Sequence, residues 1–109
     1  MKGSRLMGSP DQADRAAMPA RVRRDGATLA FEGPLERPAV AALWAQAVPL
    51  LDGADAIDLA AVAHVDSAGL ALLAELQSRA GGRLALRGEP DGLPGLRAAY
   101  RLDTSLLPA

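Results

Sequence analysis

Between Arg21 and Glu32 apolar and polar residues alternate: Val22 stands among arginines, and Leu29 and Phe31 follow beyond an Asp25-Gly26 pair. Alternation places every second side chain on one face of a strand, and Asp-Gly between two such runs is a strong hairpin signal. The pattern predicts two strands with Val22, Leu29 and Phe31 turned to a core. Arg21, Arg23 and Arg24 then read as a solvated strand face rather than a phosphate-binding patch. Gly33-Pro34 breaks the second strand. Beyond it Val40, Leu43, Trp44 and Ala47 recur at helical spacing, from a start near Pro38 to an end or kink at Pro49. Trp44 reads as packing on that stripe.

A short strand follows at Ala56-Ile57-Asp58-Leu59, then a helix from Leu70 to about Arg79. Leu70, Leu73, Leu76 and Gln77 share one helix face, and Glu75 and Arg79 are spaced for an i,i+4 ion pair on another. Gly81-Gly82 stops this helix, and Arg83-Leu84-Ala85-Leu86-Arg87 alternates as a further strand. Asp91 can cap a last helix carrying Leu93, Leu96 and Tyr100. The order β-β-α-β-α-β-α predicts a single α/β domain with a small mixed sheet flanked by helices.

Composition narrows the chemistry. With 109 residues there is room for one domain, and a net charge of -1 does not suit a nucleic-acid footprint. The absence of cysteine removes disulfides and thiolate chemistry, and a single histidine leaves no plausible ligand set for a structural zinc. No run approaches the ~20 apolar residues of a membrane span, and charge follows Lys2 and Arg5 where a signal peptide needs an apolar region. Residues 1–18 read as a flexible, dispensable tail before a domain at 19–109, in a cytoplasmic protein without metal or cofactor.

No phosphate-binding loop is present. His64, Asp66 and Ser67 form the one dense polar cluster, but Val65 stands where a nucleophile elbow requires glycine, so no catalytic residue is assigned. Asp66-Ser67-Ala68-Gly69 instead joins a strand end to a helix start, where Asp66 or Ser67 can serve as the N-cap. Ala68 and Ala71 are small and lie on the Ser67 side of the helix. They leave room for another protein to approach, and the Ser67 hydroxyl open to phosphorylation.

Asp58-Leu59, the spacing to Val65, and Asp66-Ser67-Ala68-Gly69-Leu70-Ala71-Leu72-Leu73 resemble the STAS domain of sulfate transporters and anti-sigma factor antagonists. Within that family Leu43-Trp44, Gly69 to Leu73, and Ala99-Tyr100-Arg101-Leu102 with Leu106-Leu107-Pro108 are similar to the MlaB branch. That branch is the STAS subunit of an ABC-type complex maintaining outer-membrane lipid asymmetry. Gly33-Pro34-Leu35-Glu36 departs from the Gly-Glu-Leu-Asp of many STAS domains, which weighs against the anti-sigma branch. The resemblance implies a non-catalytic subunit that binds the transporter's ATPase, peripheral to the inner membrane through that complex and not inserted itself. Ser67 would form the contact, with Asp66, Ala68, Gly69, Ala71 and Leu72 around it. The alternative it implies is an anti-sigma factor antagonist switched by phosphorylation of Ser67.

Overall fold

The computed structural model describes residues 20–108, and the tail assigned to residues 1–18 lies outside them. Strands β1 (Arg21–Asp25) and β2 (Thr28–Glu32) form the antiparallel hairpin, with Val22 opposite Phe31 and Asp25 opposite Thr28. Gly26 takes a φ of 63°, the left-handed conformation such a two-residue turn favours. Helix α1 (Arg37–Ala47) has Pro38 in its first turn, and Pro49 diverts the chain into a 3₁₀ turn at Val48–Leu50. Then come β3 (Ala56–Ala61), α2 (Ser67–Arg79), β4 (Ala85–Arg87) and α3 (Leu93–Tyr100). The order of elements is the one the hydrophobic pattern predicts.

The strands lie side by side as β1-β2-β3-β4, antiparallel at the hairpin and parallel elsewhere. Val22, Leu29, Phe31, Ile57 and Leu59 leave one face of this mixed sheet to join Leu43, Ala47, Leu70, Leu73 and Leu76 from the helices in the buried core. Removing a buried leucine side chain from such a core costs ~2–5 kcal/mol. Arg23, Ala30, Asp58 and Arg87 occupy one register row, and strand alternation turns them away from the core.

Several local expectations give way to tertiary packing. The last strand is only Ala85–Arg87, because the N–H and carbonyl of Leu84 are both taken by the Gln77 side-chain amide, while the Arg83 guanidinium donates to the carbonyls of Ala54, Ala80 and Leu51. The arginines of β1 divide. Arg21 and Arg23 pair with Glu32, while Arg24 donates to the carbonyls of Gly26, Leu50 and Asp52 and ties the hairpin to the loop after α1. Gly92, not Asp91, precedes α3, at a φ of 91° and without a side-chain cap. Its missing side chain has a reason, since a Cβ there would collide with the Val65 carbonyl oxygen.

Gln77 is the buried polar residue on the α2 core face, and it is fully satisfied. Its Oε1 accepts from Leu84 N–H at 2.8 Å, while Nε2 donates to the carbonyls of Leu84 at 2.7 Å and Ser105 at 2.9 Å. One amide thereby ties α2 to the entry of β4 and to the C-terminal segment. A buried amide so paired avoids the penalty of an unsatisfied polar group.

Candidate functional site

The start of α2 is built by its neighbours. Isolated parallel bridges pair Leu35 with Val65 and His64 with Asp91, so the segment before the helix runs between the chain after β2 and the chain before α3. Asp66 is the N-cap: its Oδ1 accepts from Gly69 N–H at 2.8 Å. Its Oδ2 accepts from Arg37 N–H at 2.9 Å, satisfying the first amide of α1, whose own cap residue Glu36 provides no side-chain bond. Burial pushes the Asp66 pKa up, but the amides of Gly69, Arg37 and Ala68 and the Arg37 charge more than offset it. The net effect holds the carboxyl below its ordinary value.

Ser67 therefore sits one position inside the helix, exposed, and the capping role falls to Asp66 alone. Ala71, one turn on, is also exposed, and Ala68 is half-buried beside it. Gly69 and Leu72 face inward. A Cβ on Gly69 would run into the Leu35 carbonyl, 2.8 Å from its carbon, so this glycine permits the close approach of α2 to the Leu35 backbone. Leu72 is 3% exposed and forms part of a groove floor. His64 turns to another partner, its Nδ1 lying 2.9 Å from Glu36 Oε2 in an exposed pair.

The outward ridge Ser67–Ala71 separates two shallow apolar grooves. One is lined by Val40 and Trp44 of α1 with Ala68, Ala71, Leu72 and Glu75 of α2. The other is lined by Ser67, Leu70, Ala71 and Ala74 with Tyr100 and Leu102. Trp44 is thus a wall, only partly buried, where the stripe on α1 had suggested full packing; Leu43 and Ala47 take the buried positions. Tyr100 is likewise 56% exposed rather than a core residue of α3. The expected Glu75–Arg79 ion pair is not formed, and the Arg79 guanidinium instead lies 5.0 Å from the Trp44 ring centroid.

The sequence pattern picks out Ser67, Ala68 and Ala71 but not the aromatic wall on either side of them. Spacing places Trp44 within the stripe, yet only the packing of α1 on α2 decides that the ring stops at the groove edge. Among the described residues no group of three or more potential ligands could hold a metal ion, and no helix is long and apolar enough to cross a membrane.

Residues 20–108 match the family profile described as Mlab, STAS domain. The chain belongs to the STAS domain family. Two curated proteins, one from Escherichia coli strain K12 and one from Shigella flexneri, each bear the name intermembrane phospholipid transport system binding protein MlaB. Each is 35% identical to this STAS chain over 86 residues, covering 76% of this chain and 89% of the relative. The likeness to the MlaB branch therefore spans nearly the whole described domain.

Proposed function

We propose that this STAS domain is a non-catalytic subunit of a phospholipid transport system that binds the cytoplasmic ATPase of an ABC-type transporter and supports its assembly or activity. The observation that carries the reading is the exposed Ser67–Ala71 ridge with an apolar groove on each side, walled by Trp44 and Tyr100. Small residues along a helix let a second backbone come close, while flanking aromatics supply anchoring area, an arrangement suited to a protein interface. In this reading Ser67, Ala68 and Ala71 touch the partner, Leu72 floors a groove, and Asp66 and Gly69 set the angle of the helix. The names of the MlaB relatives supply the transport system. The protein reaches the inner membrane through the ATPase, and residues 1–18 are a dispensable extension.

A second reading, the anti-sigma factor antagonist, draws on the exposure of Ser67 in the first turn of α2, where the positive end of the helix dipole tolerates a phosphate's charge. One experiment separates the two: the tagged full chain is purified from native lysate, bound proteins are identified, and its mass is measured. Co-purification with an ABC ATPase from the membrane fraction supports the transporter subunit. A soluble complex with a kinase, together with a phosphate's added mass on Ser67, overturns it.

A further inference from the structure

Of the two grooves beside the Ser67–Ala71 ridge, only the one walled by Trp44 has a charged residue among its lining groups, and that residue is Glu75. Its natural counter-ion on the same helix is Arg79, one turn on. That guanidinium lies over the Trp44 ring, and Glu75 makes no ion pair within 4 Å among the described residues. Glu75 is exposed, so in the free domain water solvates its carboxylate.

We infer that the Trp44 groove receives from the partner a segment in which an apolar side chain stands beside a lysine or arginine, and that Glu75 pairs with that cation. The inference rests on the docking reading above and deepens it. A segment that covered Val40, Trp44 and Leu72 with apolar groups alone would strip water from Glu75 and leave a carboxylate unpaired, a costly arrangement. A segment that set an acidic residue against Glu75 would add like-charge repulsion. A basic residue removes both penalties, and the apolar walls screen the new pair less than open solvent would. The other groove has no charged lining residue, so Glu75 also makes the surface asymmetric and fixes which way round the partner lies.

The test measures the affinity of the full chain for its purified ATPase at two salt concentrations, with melting temperatures confirming that each variant is folded. Glu75→Gln is expected to weaken binding by roughly 3- to 5-fold, the range of a partly screened ion pair, and to flatten the salt dependence. Glu75→Lys is expected to weaken it more than about tenfold, through like-charge juxtaposition. Equal affinity and an unchanged salt slope for both variants would overturn the inference. If Ser67→Leu then still releases the ATPase, the docking reading survives alone; if it too is neutral, both fall. Should sedimentation show that Glu75→Lys dissociates a self-associated chain while ATPase binding is unaltered, the occupant is a second copy and the inference is likewise overturned.

Discussion

Asp66 caps its own helix and also accepts from the first amide of another: one carboxylate oxygen accepts from Gly69 N–H and the other from Arg37 N–H, at 2.8 and 2.9 Å. The starts of α1 and α2 are thereby tied together, and with them Trp44 and the Ser67 ridge. Asp66→Ala orphans both amides and is expected to lower stability by ~1–2 kcal/mol, the upper range for a lost cap. For a domain of this size that corresponds to a fall of roughly 4–16 °C in melting temperature. Asp66→Asn keeps one acceptor and should fall between. Thermal unfolding of the three proteins checks the order.

The same carboxylate sets a pH dependence. Its folded pKa is held below its ordinary value, so the unfolded chain takes up the proton more readily as pH falls. The stabilisation is complete above the unfolded value, about pH 4, and is lost as pH drops through the lowered folded value. Denaturant titrations from pH 6 to pH 3 should therefore show a steeper acid loss for the parent than for Asp66→Asn. Parallel curves would remove Asp66 from the account of acid stability.

Gly69→Ala should be more damaging than any surface change on α2. The added methyl meets the Leu35 carbonyl, a backbone group whose neighbours are held by the Leu35 N–H bond to His64 and the Asp66 N–H bond to Leu35. Overpacking against a fixed backbone costs ~1–3 kcal/mol, and the lack of a flexible side chain to yield puts this site at the upper end. Helix propensity alone would favour alanine by ~1 kcal/mol. A variant as stable as the parent would show that α2 can shift freely from the Leu35 backbone.

That glycine illustrates what the sequence can and cannot convey. Local grammar was sufficient for the hairpin, because Asp25-Gly26 and the alternation of Val22, Leu29 and Phe31 are properties of neighbouring residues. It was sufficient for the α2 core face, where Leu70, Leu73, Leu76 and Gln77 are all buried. It failed wherever a second element decides the outcome. The i,i+4 spacing of Glu75 and Arg79 cannot disclose that Trp44 of another helix attracts the guanidinium. Nor can the spacing of Leu93, Leu96 and Tyr100 disclose that α3 buries Leu93 and leaves Tyr100 largely in solvent. Asp66 and Ser67 are equal candidates for a cap on paper. The Arg37 amide, brought in by the fold, shows why an aspartate with two acceptors stands there.

In the proposed docking Trp44 serves both stability and recognition, because its ring is only partly covered. Trp44→Ala should destabilise the domain by roughly 1–3 kcal/mol, less than the ~3–5 kcal/mol of a fully buried large aromatic. It should also weaken ATPase binding beyond what lost folding explains, since it removes a groove wall and the platform for Arg79. Trp44→Phe keeps much of the wall and should recover most of both properties. Affinity measured well below each variant's melting temperature separates the two effects. If Trp44→Ala binds like the parent while folded, the groove plays no part in docking.

Ser67 offers the cleanest separation of fold from binding, since Asp66 and not Ser67 caps the helix. Its side chain is exposed at the rim of the Tyr100 groove, and Ser67→Ala should leave stability within ~0.5 kcal/mol, as for most surface changes. Association is another matter. Once a partner closes over the ridge, the hydroxyl and the polar group facing it must satisfy one another, and removing one side costs ~1–3 kcal/mol. Ser67→Ala is thus expected to weaken binding by roughly 5- to 150-fold. Ser67→Thr keeps the hydroxyl and adds one methyl, so its effect should be mild. Ser67→Leu loses the hydroxyl and holds the surfaces apart, and should be the worst of the three. Titration of each variant with the ATPase tests that ranking. Parental affinity in Ser67→Leu would place the residue outside the interface, leaving the two amides held by Asp66 as the whole reason for this turn.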